Sequence, residues 1–203
     1  MKKETAIKQL QELEKQGKNM RLAAEQWNKE WKTLISIILS ARTRDETTIR
    51  VCTKLFKKYN TIEKLSKTNL NDIEKIIRPI NFYRNKSKNL LNCAKIIIKK
   101  HQGKIPHKMD ELIKLHGVGR KTANVFISEY GKDAIGIDTH VSHISQKLEW
   151  TKNKAPEKIE KDLENLFPRE YWRKINPILV RFGKTYTSRK KKDEILREII
   201  KIK

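Results

Sequence analysis

LHGVGRKTANVFISEY, Leu115 to Tyr130, with its short sequel GIDTH, Gly136 to His140, is the stretch on which the fold turns. Apolar residues fall at helical spacing before the glycines, at Met109, Leu112 and Ile113, and again after them, at Ala123, Phe126, Ile127 and Tyr130. Two helices therefore flank Gly117-Val118-Gly119. Glycines on both sides of one apolar residue let the backbone take φ > 0 and come close to another chain, while the next helix starts at once with its N–H groups aimed outward. Such a turn suits a phosphate. It equally suits a plain αα-hairpin with a glycine cap, and the turn alone does not choose. Arg120 and Lys121 occupy the first turn of the second helix, where the macrodipole disfavours a cation by about 0.3 to 1 kcal/mol. That cost asks for a compensation, either an anionic ligand at the turn or, for Lys121, a role that wants its ammonium destabilised.

Together, LHGVGRKTANV and IDTHV resemble the helix-hairpin-helix plus Gly/Pro-Asp signature of the endonuclease III family of DNA glycosylases and abasic-site lyases. Lysine and aspartate stand at the family's spacing. The resemblance runs from about Trp31 through Ser188 and takes in LSARTRDE, Leu39 to Glu46. It implies an all-α protein of two helical domains: a six-helix barrel in 25–131 that contains the hairpin, and a second domain from 1–24 and 132–203. DNA would lie across the cleft between them, with Lys121 and Asp138 on opposite walls. Composition by itself marks no linker.

The chemistry implied for Lys121 is nucleophilic. An ordinary lysine amine is neutral in only about one molecule in 2,500 at pH 7, so a nucleophile needs burial or neighbouring positive charge, and the helix N-terminus and Arg120 both push that way. By the resemblance, the amine attacks the sugar C1′, displaces the damaged base and forms a Schiff base that permits β-elimination. Asp138 would assist proton transfer or stabilise cationic character on the sugar. Each residue also has a structural explanation: Lys121 as a phosphate contact, Asp138 as a helix N-cap. A cap engages one carboxylate oxygen and leaves the other for chemistry.

Base extrusion needs something to fill the gap left in the stack. INFYRNKSK, Ile80 to Lys88, resembles the family's intercalating loop and puts Phe82 at its apolar wedge, with Asn81 where a small residue is usual. Arg42 takes the place of a polar residue that enters the duplex from the other side. Core packing for Phe82 and a solvated helix end for Arg42 remain open alternatives. Gly117, Val118, Gly119, Arg120, His140, His143 and Lys147 complete the DNA-binding set, His143 and Lys147 standing where related sequences carry arginine. Asp138, His140 and His143 also spell D-x-H-x-x-H, which can converge on a metal at a helix start. Nothing else supplies a clear further ligand, and His140 belongs to the family's D-T-H pattern without a metal.

Family members usually carry four C-terminal cysteines for a [4Fe-4S] cluster. Here ILVRFGKTYTSRKKK puts Thr187 where the first would stand, and the chain's two cysteines, Cys52 and Cys93, lie elsewhere within apolar helical patterns. No iron-sulfur cluster is expected, and no other cofactor. A monovalent cation on the hairpin carbonyls stays open. The second domain must hold itself by apolar packing, for which Trp150, Phe167, Tyr171, Trp172 and Phe182 are the large side chains on hand.

Composition bounds the same answer independently. The 203 residues carry 47 Lys+Arg against 24 Asp+Glu, a formal charge of +23, which opposes compaction unless a polyanion is the usual partner. Nucleic acid fits that description. Two cysteines suit a reducing compartment, the longest apolar run, Leu34 to Leu39, is far too short to span a bilayer, and MKKETAIKQL lacks a signal-peptide core. A soluble, cytoplasmic monomer without membrane contact is expected.

Along the chain, apolar faces at helical spacing recur throughout, without sustained alternation or a two-residue hairpin turn. Thr43 with Glu46 reads as a capping box, Pro106 as the start of the hairpin's first helix, and Pro156 as a first-turn proline. Gly183 reads as a helix end, and Lys184 to Lys192 as a basic loop before a short amphipathic terminus. The expectation is a cluster-free bifunctional glycosylase and lyase acting on oxidised pyrimidines in duplex DNA. The alternatives are a monofunctional thymine/uracil mismatch glycosylase, whose specialised relatives often have tyrosine at the lysine position, and a non-catalytic helix-hairpin-helix binder that never forms a covalent adduct.

Overall fold

The computed structural model describes residues 2–130 and 133–203, and every regular element among them is helical, as the periodicity requires. In chain order these are α1 (Lys3–Gln16), α2 (Glu30–Ser40), α3 (Asp45–Lys58), α4 (Ile62–Ser66), α5 (Leu70–Ile77), α6 (Tyr83–His101), α7 (Met109–Leu112), α8 (Arg120–Glu129), α9 (Thr139–Lys147) and α10 (Pro156–Leu166). A 3-10 turn (Arg169–Tyr171), α11 (Trp172–Thr185) and α12 (Arg189–Ile199) follow. Among the described residues no helix is long and apolar enough to cross a membrane. The helices group into two compact units, 21–126 and 1–20 with 127–203, so the division falls within α8. The boundary expected at 131/132 lies outside the described residues.

In the 21–126 unit, α6 packs against α2, α4 and α5, and α3 against α2 and α5. Leu90, Ala94 and Ile97 of α6 are buried, as are Leu34, Ile35 and Leu39 of α2. The Thr61 and Asn69 side chains cap α4 and α5 by accepting from the Lys64 and Asp72 N–H groups. Two local expectations need correction. Thr43 and Glu46 form no capping box: α3 begins after Arg44 without a side-chain cap, and the Thr43 hydroxyl instead accepts the Asn81 N–H at 3.2 Å. Nor does Pro106 open a helix. The segment stays irregular because Ile105 is buried and His107 is held by Glu30 at 2.9 Å and packs edge-on to Phe126, so α7 starts only at Met109.

The other unit buries Ala6, Leu10 and Leu13 of α1 in one cluster with Val141 and Ile144 of α9, Ile159 and Leu163 of α10, and Ile175, Leu179 and Phe182 of α11. Leu196 and Ile199 bring α12 into the same cluster. The basic stretch 184–192 is therefore mostly helical, with only 186–188 between helices: α11 continues through Gly183 to Thr185, and the Ser188 hydroxyl caps α12. Apolar spacing at Leu196 and Ile199 decides this against the local charge, because a buried face stabilises a helix that propensity alone would leave marginal.

The aromatic residues divide unequally. Trp150, Phe167 and Phe182 are inside, whereas Tyr171 and Trp172 are only partly buried at the edge of the cluster. The Trp150 indole stacks edge-on to Phe167 with centroids 4.9 Å apart and donates to Gln9 Oε1 at 2.7 Å. Trp150→Ala should accordingly cost about 3 to 5 kcal/mol in chemical denaturation, since it opens a cavity and strips a buried amide of its donor. Trp172→Ala should cost clearly less. Equal losses would show that the edge aromatics carry as much of the packing as the centre.

Candidate active site

The two hairpin glycines serve different ends. Gly117 has φ +81°, and a Cβ there would stand 3.1 Å from both Ile38 Cγ2 and Asn89 Cβ, so glycine is required to seat the turn on α2 and α6. Gly119 has no positive φ, and among the described residues nothing lies within 4 Å of the Cβ it lacks. Only one glycine is thus needed for the backbone conformation. The other keeps a surface open at the N-terminal end of α8, the positive end of its macrodipole. Val118 is buried between them, and Arg120 and Lys121 are exposed on the first turn of α8.

Asp138 is the N-cap of α9, its Oδ1 accepting the Val141 N–H at 2.9 Å. Two residues on, the His140 ring lies against α11. A Cβ on Gly183 would come within 2.1 Å of His140 Nδ1, so a glycine is kept in the last turn of α11, at up to about 1 kcal/mol relative to alanine, to lodge this imidazole. That corrects the reading of Gly183 as a helix end. Its only signal in the sequence was a glycine between Phe182 and Lys184, with nothing to show what approaches it.

His143 and Lys147, one turn apart on α9, both meet a residue of α12 that sequence reasoning missed. Asp193 Oδ1 stands 2.8 Å from His143 Nε2 and Oδ2 stands 2.9 Å from Lys147 Nζ. Burial alone would raise the Asp193 carboxyl, but the hydrogen bonds from Lys147 and His143 and their charges outweigh it and hold the group below the usual carboxylate range. A carboxyl whose folded pKa is depressed stabilises the fold above its unfolded value, near 3.9, and that contribution is lost as pH falls through the folded value. Asp193→Asn should therefore cost about 1 to 2 kcal/mol at pH 7, a figure held down by the exposure of Lys147. The gap between the two proteins should narrow in denaturant melts as the pH is lowered below the unfolded value. A gap that persists there would mean the interaction is not one of charge.

Arg42 and Phe82 come together on the 21–126 unit. Five non-glycine residues among those described have positive φ; Gln102 and Glu149 follow helix ends, where a left-handed residue is common, and Gln26 lies outside the helices. Arg42, φ +57°, follows the C-cap of α2, and Phe82, φ +59°, is the N-cap of α6. A left-handed bulky aromatic is a real outlier. Phe82 is also 58% exposed, so core packing does not explain it. The Arg42 guanidinium lies 5.5 Å from its ring centroid. Ile38 and Asn89, which hold Gly117, are on the two helices that end just before Arg42 and begin just after Phe82, roughly one and two turns from those residues.

A four-thiolate cluster does not fit these residues. Cys52 and Cys93 are buried in α3 and α6, burial pushes both thiols up to about 12, and Thr187 carries no sulfur. Among the described residues no group of three or more His, Cys, Asp or Glu side chains could hold a metal ion. Asp138, His140 and His143 do not converge: they face the Val141 N–H, Gly183 and Asp193 respectively.

Residues 35–169 match the family described as HhH-GPD superfamily base excision DNA repair protein. Endonuclease III of Thermotoga maritima is 40% identical over 155 residues, which cover 76% of this chain and 73% of that one. Endonuclease III of Bacillus subtilis is 39% identical, over 74% and 70% of the two chains. Among solved structures, a trapped endonuclease III–DNA covalent intermediate matches with a TM-score of 0.83 at 33% identity, covering 93% of this chain and 89% of that chain. The hairpin, the capped aspartate and the Arg42–Phe82 pair thus sit in a chain that belongs to the endonuclease III family of HhH-GPD base excision DNA repair proteins.

Proposed function

We propose that this protein is a bifunctional DNA glycosylase and abasic-site lyase that removes oxidised pyrimidines from duplex DNA, with Lys121 as nucleophile and Asp138 as its acid-base partner. The observation that supports it most is the pairing of an open glycine, Gly119, with an exposed Lys121 on the first turn of α8, in a chain whose relatives include a protein trapped covalently on DNA. We take 25–131 as the barrel and the remainder as the second domain, and the protein as an intracellular monomer.

In this mechanism the Lys121 amine adds to C1′ as the bond from C1′ to the base breaks, and the base leaves with a proton. Ring opening gives the iminium, a C2′ proton is removed, and the bond from C3′ to the phosphate oxygen breaks. Asp138 stands beside the developing positive charge on the sugar or relays the proton. Gly117 to Arg120 hold a phosphate at the N-terminus of α8. His140, His143 and Lys147 on α9 extend the phosphate contacts, with Lys147 retaining donors beyond the one it gives Asp193. No step uses an iron-sulfur cluster.

The test is a panel of duplexes carrying 5,6-saturated pyrimidines, uracil or thymine mismatches, or an abasic site, incubated with and without borohydride. Base release with trapped adduct on the saturated pyrimidines is expected. Release from mismatches without an adduct would favour a monofunctional enzyme, and binding without release a non-catalytic one.

A further inference from the structure

The segment that carries Arg42 and the segment that carries Phe82 are tied together more heavily than two helix ends require. The Asn81 side-chain amide donates to the Arg42 carbonyl, and the Asn81 N–H donates to the Thr43 hydroxyl at 3.2 Å. One turn into α6, Lys86 is 8% exposed, and its ammonium donates to the Leu39 carbonyl at 2.8 Å, the Ala41 carbonyl at 2.5 Å and the Thr43 hydroxyl at 3.5 Å. These carbonyls are the negative end of α2, where a cation is favoured, but the same ammonium sits near the positive end of α6, where it is not. Burial pushes it down to about 8. A buried cation is an expensive way to cap one helix. What it achieves here is to fix the end of α2 to the start of α6, on either side of two left-handed residues.

The residues so fixed have no use inside the protein. Phe82 points to solvent from a backbone conformation that costs a bulky residue energy, and unbraced it would relax. Thr43, free to cap α3, is spent on Asn81 and Lys86 instead. Strain held by surrounding bonds at an exposed aromatic is a mark of pre-organisation, because a side chain already in place loses no further freedom when it enters a partner.

We propose that Asn81 and Lys86 are positioning residues that brace Arg42 and Phe82 into one preformed wedge, so that the two side chains enter the base stack as a unit. The proposal rests on the glycosylase function above and takes Arg42 and Phe82 to act together rather than from opposite sides of the duplex. Asn81, which stands where a small residue is usual, then becomes the tie between the two.

The test measures base release in single turnover on a saturated-pyrimidine duplex, the fluorescence of a 2-aminopurine opposite the lesion as a report of unstacking, and elimination at a preformed abasic site. Asn81 is exposed, so Asn81→Ala leaves the fold intact. It should lower both the 2-aminopurine signal and base release by roughly tenfold, with the melting temperature and abasic-site elimination unchanged. Arg42→Ala with Phe82→Ala should lose less than the product of the single losses, and Asn81→Ala should add nothing in that background. Lys86→Met, which keeps the stem and removes the donors, should match Asn81→Ala if it folds; if it does not fold, the Asn81 series decides. Base release at the wild-type rate in Asn81→Ala, or losses that multiply with those of Phe82→Ala, would overturn the brace while leaving the enzyme assignment intact. A wild-type protein that releases no base and eliminates at no abasic site would overturn both.

Discussion

Lys121→Gln is expected to abolish borohydride trapping, a loss of at least roughly a thousandfold, while keeping most of the affinity for abasic DNA. Glutamine has no amine to form a Schiff base, yet Gly117 to Gly119 and the N-terminal end of α8, the groups proposed to meet phosphate, are untouched. Undiminished trapping would put the nucleophile elsewhere. Asp138 can be tested beside it, because its two roles separate. Asparagine caps a helix about as well as aspartate, so Asp138→Asn should leave the melting temperature where it is. Base release should nonetheless fall by about a hundredfold or more. A parallel loss of stability and activity would make Asp138 a cap alone.

The second large effect concerns where the +23 charge acts. If the hairpin, Arg120, His143, Lys147 and the basic residues 184–192 neutralise about six phosphates, log K for duplex DNA should fall against log salt with a slope near −5. Between 50 and 200 mM salt, binding would then weaken roughly a thousandfold. Arg120→Ala should make the slope shallower by about one unit on lesion-bearing and intact DNA alike, since a phosphate contact carries no base information. Phe82→Ala should leave the slope alone and reduce base release. A slope near −1 in the intact protein, or the same behaviour in both variants, would mean the DNA runs along another face.

What the sequence disclosed and what it withheld divide along one physical line. Helical spacing, the turn at Gly117 and the cap at Asp138 are local, so they are legible in the sequence alone. The family's motif placed the candidate lysine and aspartate. Partnerships between residues far apart in the chain were not legible. Gly183 makes room for an imidazole 43 positions earlier, and Asp193 reaches His143 across 50. Lys86 caps a helix 45 to 47 residues upstream. The Thr43 capping box failed for the same reason, a distant competitor for one hydroxyl. The basic stretch 184–192 misled because its local charge hid a helix whose apolar residues lie further on, at Leu196 and Ile199. Among the aromatics, size announced a core but could not separate Trp150 at its centre from Trp172 at its edge.

The most direct test of the central claim is to reduce the wild-type protein with borohydride on a saturated-pyrimidine duplex, digest the adduct, and locate the modified residue by peptide mass mapping. A sugar remnant on the peptide containing Lys121, with mass added at that side chain, is the expected result. A remnant on another lysine or on the N-terminal amine, with Lys121 unmodified, would contradict it.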